Sequence, residues 1–377
     1  MKKIIRSSTV PSSLDNFCRG VLRDLSVDYE VVALSSSGPE MDMIRSREGV
    51  RAIEVPMERH ISPFKDFVSL LRIIAVFRRE RPDMVHSMTP KAGLLCMMAA
   101  WLTHVPVRVH TFTGLVFPTA TGLKKRILML TDRITAKCAT HIIPEGEGVK
   151  NDLISYGITK KPISVLGHGN VKGVDMNYYD RTEVVMAAAK ALRSDSFFSF
   201  LFVGRIVHDK GIDELVFAFK RLSKEFPNIR LFLIGPNEDD MDPISPVTRE
   251  DIKALDSVFS VGEKTGIELL SYYAASDCFV LPSYREGFPN TVLEAGAMGL
   301  PSIVTDINGS REIISNGYNG LIVPPHDDYA LYLAMKKMLS DKEMRDKMAS
   351  VCRHHIESYY EQGYVRQCLY DFYKTIL

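Results

Sequence analysis

Short runs of β-branched and apolar residues recur along almost the whole chain, each followed by a longer stretch of helical period, and that rhythm leaves few folds open. In the first half the runs are KKIIRS, YEVVAL, AIEV, DMVHSM, VRVHTF, THIIPE and PISVL, separated by segments such as PFKDFVSLLRIIAVFRRER. Near-continuous apolar strands joined by helices predict a parallel sheet covered on both faces, because a parallel connection needs a crossover long enough to hold a helix. After GHGNVKGVD and a helix near 181–193 the rhythm restarts with SFFSFLFVG, IRLFLIG, VFSVG, DCFVLPS, PSIVT and GLIVPP. The expected fold class is α/β, with two consecutive doubly wound domains meeting near residue 172. Each sheet is expected to turn the C-terminal ends of its strands toward a central cleft, where ligands bind in such folds. Helical patterns at 341–357 and 361–376 close the chain. The glycines of GHGNVKG do not follow the G-x-G-x-x-G spacing, and VDMNYYDR does not open an amphipathic helix, so this segment reads as a hinge between domains.

A chain of 377 residues, 46% hydrophobic and 25% charged, can bury two cores of ordinary size. The six cysteines (Cys18, Cys96, Cys138, Cys278, Cys352 and Cys368) are scattered without ligand spacing, which points to a reduced, cytoplasmic compartment. MKKIIRSSTV lacks the sustained apolar region of a signal peptide, and GLLCMMAAWL is too short to span a bilayer, so no integral membrane segment is expected. Charge is uneven. Residues 1–170 hold 24 Lys and Arg against 16 Asp and Glu, net +8, and the remainder 23 against 30, net −7. A basic half suits an anionic membrane surface, a phosphorylated acceptor or nucleic acid, or else reflects solvated faces alone. No DNA- or RNA-binding module motif is present, so no nucleic-acid partner is expected.

The stretch YREGFPNTVLEAGAMGLP carries the chemistry. It follows the buried strand CFVLPS, and Asn290 reads as the N-cap of a helix whose free N–H groups suit a phosphate, with Gly287 allowing close approach. Glu294 is expected in the first turn of that helix and Glu286 before the loop. A carboxylate beside phosphate is a poor phosphate ligand but a good acceptor for sugar hydroxyls. Glu294 is therefore expected to hold a ribose and Glu286 a hexose, with a pyrophosphate between. In FLFVGRIVHDKGIDELVFAF, Gly204-Arg205 ends a strand and Lys210 precedes a helix, so two cations supply the counter-charge for that pyrophosphate. Spacing alone is a weak signal: a Glu near a helix start is favoured by the dipole, and Arg and Lys in a loop are often merely solvated.

These motifs together, GR-x4-KG, LFLIG and YYAASDCFVLPSYREGFPNTVLEAGAMGLPSIVTDINGSREIISNGYNGLIVPP, resemble the nucleotide-binding domain of the retaining glycosyltransferases of family 4. VHSMTPKAGLLCMMAAWLTHVPVRVHTFTG resembles the bacterial subgroup that builds capsule, O-antigen and related surface glycans. The resemblance implies the GT-B fold of two Rossmann-like domains: 1–171 binding acceptor, 172–357 binding the nucleotide sugar, and 358–377 a C-terminal helix returning to the first domain. It also implies that Arg205 and Lys210 bind the donor diphosphate. Glu286 would meet the donor sugar, Gly287, Phe288, Pro289, Asn290 and Thr291 would give backbone contacts, Glu294 would take the ribose, and Val261 and Gly262 would lie against the base. Two departures stand out. Pro289 replaces the second glycine of Glu-Gly-Phe-Gly, removing one N–H. Thr113 stands where many relatives place a histidine near the donor sugar, with His110 three residues earlier as either its substitute or a core strand histidine. His86 and His168 read as packing or hinge residues. Ser12 and Ser13 read as caps of the first helix.

The reading that follows is a retaining hexosyltransferase using a nucleoside diphosphate sugar, a UDP-sugar by preference. Its expected acceptor is a growing lipid-linked surface glycan, reached from the inner face of the cytoplasmic membrane. No cofactor or metal is expected, since Arg205, Lys210 and the helix start can neutralise the diphosphate; EDDMD at 238–242 reads as a surface loop. The alternatives are a sugar-nucleotide epimerase or sugar-phosphate synthase on the same fold, or a nucleotide-sugar-binding subunit without turnover. GLKKRILMLTDRITAKC and SLLRIIAVFRRERP combine basic and apolar residues as a peripheral helix does.

Overall fold

A computed structural model of the protein describes residues 1–238 and 242–377. Asp239, Asp240 and Met241 of the EDDMD loop lie outside the described residues. The chain forms two compact units, one of Met1–Gly173 with Gly363–Leu377, the other of Val174–Gln362.

In the first unit six parallel strands, β1 (Lys3–Ser7), β2 (Glu30–Ser35), β3 (Arg51–Glu54), β4 (Met84–Met88), β5 (Val107–Phe112) and β6 (His141–Pro144), lie in the order β3-β2-β1-β4-β5-β6. The second repeats that order with β7 (Phe198–Val203), β8 (Ile229–Ile234), β9 (Val258–Ser260), β10 (Cys278–Leu281), β11 (Ser302–Thr305) and β12 (Gly320–Val323), arranged β12-β11-β10-β7-β8-β9. Each sheet therefore has one switch point where strand order reverses, between β1 and β4 and between β7 and β10. Loops diverge there and leave a crevice at the strands' C-terminal ends.

PISVL forms no strand, against the sequence expectation. Ile163 packs on the apolar cluster around Val85 and Leu153, and Leu166 on the cluster around Tyr373. The run's apolar residues cover the edges of two clusters instead of extending the sheet past β6, which is why composition alone misread it. The glycine-rich segment after it stays bound to the first unit: Asn170 donates its N–H to the Glu145 carbonyl at 2.7 Å and its Oδ1 accepts from Gly173 N at 2.6 Å.

The closing helix Gln362–Ile376 belongs to the first unit, anchored by the fully buried Tyr373. Its hydroxyl meets the buried guanidinium of Arg6 at 2.5 Å, and Arg6 also donates to His86 Nδ1 at 2.7 Å. His86 Nε2 lies 2.7 Å from Thr111 Oγ1. Burial and the Arg6 charge push the His86 imidazole well below its usual range, so it is a neutral core residue. The first helix, Pro11–Cys18, is capped by Val10 without a side-chain bond, so Ser12 and Ser13 sit inside the helix and are not its caps. All six cysteines are free thiols. Among the described residues no helix is long and apolar enough to cross a membrane.

Candidate functional site

The switch point of the second sheet gathers most of the residues singled out in the sequence. Gly204 follows β7, and Gly235 follows β8 with φ +142°, where a Cβ would run into the Gly204 carbonyl. Glycine is therefore required for the two strand ends to approach. Arg205 follows, half-exposed, its Nη1 2.7 Å from Glu238 Oε2. The turn His208–Lys210 leads to Gly211, φ +69°, where a side chain would strike the Pro282 carbonyl, and the helix Ile212–Glu225 begins.

That close approach brings the loop after β7 against the loop after β10. Asp209 ties them together: its carbonyl accepts from Tyr284 N at 2.9 Å, and its carboxylate accepts from Arg285 Nε at 2.8 Å and Nη2 at 2.6 Å. Beside this clasp Lys210 donates to Glu286, an ion pair whose side chains keep only 19% and 14% of their surface exposed. Tyr284 Oη donates to the Glu214 carboxylate at 2.6 Å, and the Asp213 carboxylate 2.9 Å from His208 Nδ1 raises the pKa of that imidazole. Asp209 and Tyr284 escaped the sequence reading; the only local signal was their place inside the two motifs.

The helix after β10 spans Asn290–Ala297, with Pro289 as its N-cap. Asn290 is thus the first helical residue and not the cap, and Glu294 is the fifth residue, outside the first turn. Pro289, with φ fixed at −73°, starts the helix one residue earlier than the Asn signal implied. Phe288 is buried against Tyr360, ring centroids 5.5 Å apart, and holds the loop down. Behind the loop stands Gly309, φ +72°, where a Cβ would meet the Gly287 carbonyl and the Pro289 ring. Among the described residues the N–H groups of Gly287 and Phe288 have no acceptor, which leaves them available to an anion. Thr291 is half-buried in the first turn. Glu294 is buried and accepts from Tyr273 Oη at 3.0 Å. Val261 is half-buried just past β9, and the exposed Gly262, φ +73°, accepts from Gly235 N at 3.0 Å. Val261 and Gly262 therefore flank the strand end that Gly204 and Gly235 build.

His110 and Thr113 belong to the first unit. His110 sits in β5, 1% exposed, its Nδ1 2.8 Å from Ser87 Oγ and its ring edge-on to Phe112 at 4.5 Å. Burial pushes the imidazole down to about 3, so it is neutral at physiological pH. Thr113 is half-buried just past the strand. His168 is exposed, tilted 5.9 Å from Tyr364.

Residues 188–355 match the family described as glycosyl transferases group 1, and residues 20–169 match the glycosyl transferase 4-like domain. The chain is 32% identical to the capsular polysaccharide biosynthesis glycosyltransferase CapM of Staphylococcus aureus, over 100% of this chain and 98% of that protein. The chain belongs to this glycosyltransferase family. It is also 30% identical to the UDP-Gal:α-D-GlcNAc-diphosphoundecaprenol α-1,3-galactosyltransferase of Escherichia coli, over 85% of this chain and 82% of that one. Among solved structures, a glycosyltransferase from Rickettsia africae superposes with a TM-score of 0.79 at 20% identity, covering 100% of this chain and 98% of that one. Anabaena HepE in complex with UDP gives 0.80 at 15% identity, covering all of both chains. At these identities the structures establish the fold, which is GT-B. The glycosyltransferase thus carries its clasped loops at the C-terminal ends of β7 and β10, the position where a doubly wound sheet binds its ligand.

Proposed function

We infer that this glycosyltransferase moves a hexosyl group from a UDP-sugar, with retention of anomeric configuration, to a lipid-linked surface glycan. The observation that carries the reading is the Lys210–Glu286 pair at the switch point of the second sheet, beside Arg205 and the N–H groups of Gly287 and Phe288, which have no acceptor among the described residues. A diphosphate takes the cations and amides, and a carboxylate beside it takes sugar hydroxyls. In this reading Arg205 and Lys210 hold the diphosphate, Glu286 the hexose and Glu294 the ribose, while Val261 and Gly262 flank the base. The acceptor oxygen bonds to the anomeric carbon as its bond to the leaving phosphate breaks on the same face, and the acceptor proton passes to a phosphate oxygen. Those cations and dipoles stabilise the developing negative charge without a metal ion. Support for a UDP-sugar and a lipid-linked acceptor comes from the substrates in the name of the Escherichia coli relative.

A membrane-bound acceptor also fits the surface of the first unit. The helix Pro63–Glu80 exposes Phe64, Phe67 and Leu71, and the helix Gly122–Cys138 exposes Leu123, Ile127 and Leu130 beside Lys124 and Arg126. Apolar side chains at helical spacing with adjacent cations match an interfacial helix on anionic lipid.

Thermal shift against a panel of nucleotide sugars tests the donor: a ligand at one hundred times its dissociation constant adds about 2.7 kcal/mol. Stabilisation by UDP-sugars, then transfer to a diphospholipid-linked saccharide in the presence of a chelator, is the expected result. Product formed without acceptor would favour an epimerase; donor binding with no turnover, a binding subunit. Loss of activity restored by Mg2+ or Mn2+ would reveal a metal requirement.

A further inference from the structure

The loop after β12 places a histidine where the backbone disfavours one. His326 lies in the turn that leads from β12 into the helix Asp328–Ser340 and has φ +61°, the left-handed region that favours glycine. Its side chain is exposed and makes no hydrogen bond or ion pair among the described residues. What it does make is a stack on Tyr284, with ring centroids 3.7 Å apart and planes inclined by 33°. Backbone strain of this kind persists where the surroundings hold it in place, and it gathers at functional sites.

Tyr284 is gripped by elements on both sides of its own strand. In the sheet order β12-β11-β10-β7, the loops after β7 and β12 approach the loop after β10 from opposite directions. From the β7 side, the Asp209 carbonyl accepts from Tyr284 N at 2.9 Å, the Glu214 carboxylate accepts from its hydroxyl with both oxygens at 2.6 Å, and the His208 ring meets it edge-on at 5.1 Å. Burial and the Glu214 carboxylate raise the Tyr284 pKa, so the hydroxyl stays a donor. From the β12 side the contact is His326, which reaches past the end of β11. Two residues after Tyr284, Glu286 pairs with Lys210, so a shift of the ring is passed to that carboxylate. The amides of Gly287 and Phe288 are pinned separately, by Phe288 packed on Tyr360 and by Gly309 behind the loop.

We propose that His326 is a positioning residue for glycosyl transfer: stacked on Tyr284, it holds the loop after β10 so that Glu286 stays aimed at the donor sugar. The proposal rests on the reading of Glu286 given above. Loss of the stack should reach Glu286 and spare the diphosphate contacts, because Arg205 and Lys210 stand on the loop after β7 and the two amides are held by other neighbours. A misplacement of about 1 Å at a reacting centre costs up to about 100-fold in rate. The effect therefore falls on kcat and not on nucleotide affinity.

The test is a pair of double-mutant cycles. His326→Asn removes the ring and keeps a residue that tolerates the left-handed region. Glu286→Gln and Tyr284→Leu, each alone and combined with His326→Asn, complete the set. Each protein is compared in kcat and KM with whichever of UDP-galactose, UDP-glucose and UDP-N-acetylglucosamine the wild type transfers to a diphospholipid-linked saccharide. UDP affinity is read by calorimetry and melting temperature by circular dichroism. His326→Asn should lower kcat about 10-fold, with UDP affinity within about twofold and melting temperature within about 2 °C of wild type. In either background it should lower kcat by less than about twofold more, since the group it acts through is already lost. If Tyr284→Leu does not fold, the Glu286→Gln cycle carries the test. Wild-type kcat in His326→Asn, or an undiminished loss in the Glu286→Gln background, overturns the positioning role while leaving the transferase and Glu286 standing. A loss that follows a fall in melting temperature or UDP affinity also overturns it. Wild-type turnover in Glu286→Gln, or a wild type that transfers none of the donors, overturns the reading of the site and the proposal together.

Discussion

The two sheets share one strand order but finish their functional ends differently. In the second unit the loops after β7 and β10 satisfy each other through Asp209 with Arg285 and Lys210 with Glu286, and Arg205 pairs with Glu238 of the loop after β8. In the first unit the loops after β1 and β4 meet through uncharged groups, with Thr9 Oγ1 2.8 Å from Thr89 Oγ1, and the nearby His110 and Asp132 border an enclosed cavity. Paired charges stay compensated while no ligand is bound and can exchange a partner for a phosphate or hydroxyl when one arrives. Under the proposed function, the paired charges of the second unit suit a charged nucleotide.

The largest expected effect tests the charged side of this contrast. Lys210→Ala removes the cation proposed for the diphosphate and leaves Glu286 partly buried without its partner. By analogy with loss of one transition-state donor, kcat should fall about 100- to 1,000-fold. UDP affinity by calorimetry should weaken in Lys210→Ala and Arg205→Ala alike, with circular dichroism unchanged. Unaltered UDP affinity in both would mean the clasped loops do not bind the diphosphate.

Glu286→Gln separates sugar from phosphate. It removes a charged acceptor but no phosphate contact, so turnover should drop by about 1.5 to 3 kcal/mol in activation free energy. UDP binding should remain close to wild type. Wild-type turnover with the correct donor would end the assignment of Glu286 to the hexose.

Acid should weaken the two units unequally. His110 is pushed down to about 3 in the folded chain from an ordinary value near 6.5, so between those values the unfolded chain binds more protons and stability falls as pH falls. At pH 5 this costs about 2 kcal/mol, and buried His86 acts with the same sign; Asp132, raised by burial to about 7, acts oppositely over the same range, so the comparison is made in Asp132→Asn. In the second unit burial also lowers His355. His208 acts oppositely: Asp213 raises its folded pKa, so its contribution is present at low pH and is lost as pH rises through that value. It is half-exposed, and solvent screening keeps the effect small. Hydrogen exchange of Asp132→Asn, corrected for intrinsic rates, should show protection in the first unit dropping more than in the second between pH 7 and pH 5. Equal losses would remove the buried histidines as the cause.

That the candidate residues of the second unit gather at one switch point was legible because GR-x4-KG and Glu286 to Glu294 place charged and polar residues at strand ends within short segments. The doubly wound rhythm was legible for the same local reason. What escaped depended on contacts distant in sequence: Asp209 meets Arg285 across 76 residues, and Gly309 supports the Gly287–Pro289 loop from beyond the next strand. The start of the helix after β10 was misread by one residue because the Asn signal competed with Pro289, whose fixed φ suits a helix entry. PISVL was misread because an apolar run covering a cluster edge has the same composition as a strand. Asp132 lay hidden in a helix that reads as basic and amphipathic, since nothing local marks the side chain that faces inward.

The smallest effect concerns the outer surface of the first unit, where charge and apolar groups lie together without the enclosure seen at the cavity. Lys124 and Arg126 are exposed beside Leu123 and Ile127, while Lys125 lies over the Tyr156 ring, 5.3 Å from its centroid. Each basic side chain near an anionic lipid surface contributes about 1 kcal/mol, and the attraction fades within a Debye length of about 10 Å at 0.1 M salt. Replacing Lys124, Lys125 and Arg126 with Glu should therefore weaken sedimentation with anionic vesicles at low salt. Most of that weakening should come from Lys124 and Arg126, because Lys125 is already engaged with Tyr156. High salt should release the wild type and narrow the gap between the proteins, with transfer to a short soluble acceptor unchanged. Equal vesicle binding by wild type and triple variant at low salt would remove this helix from the membrane face, leaving Phe64, Phe67 and Leu71 as the apolar surface to test next.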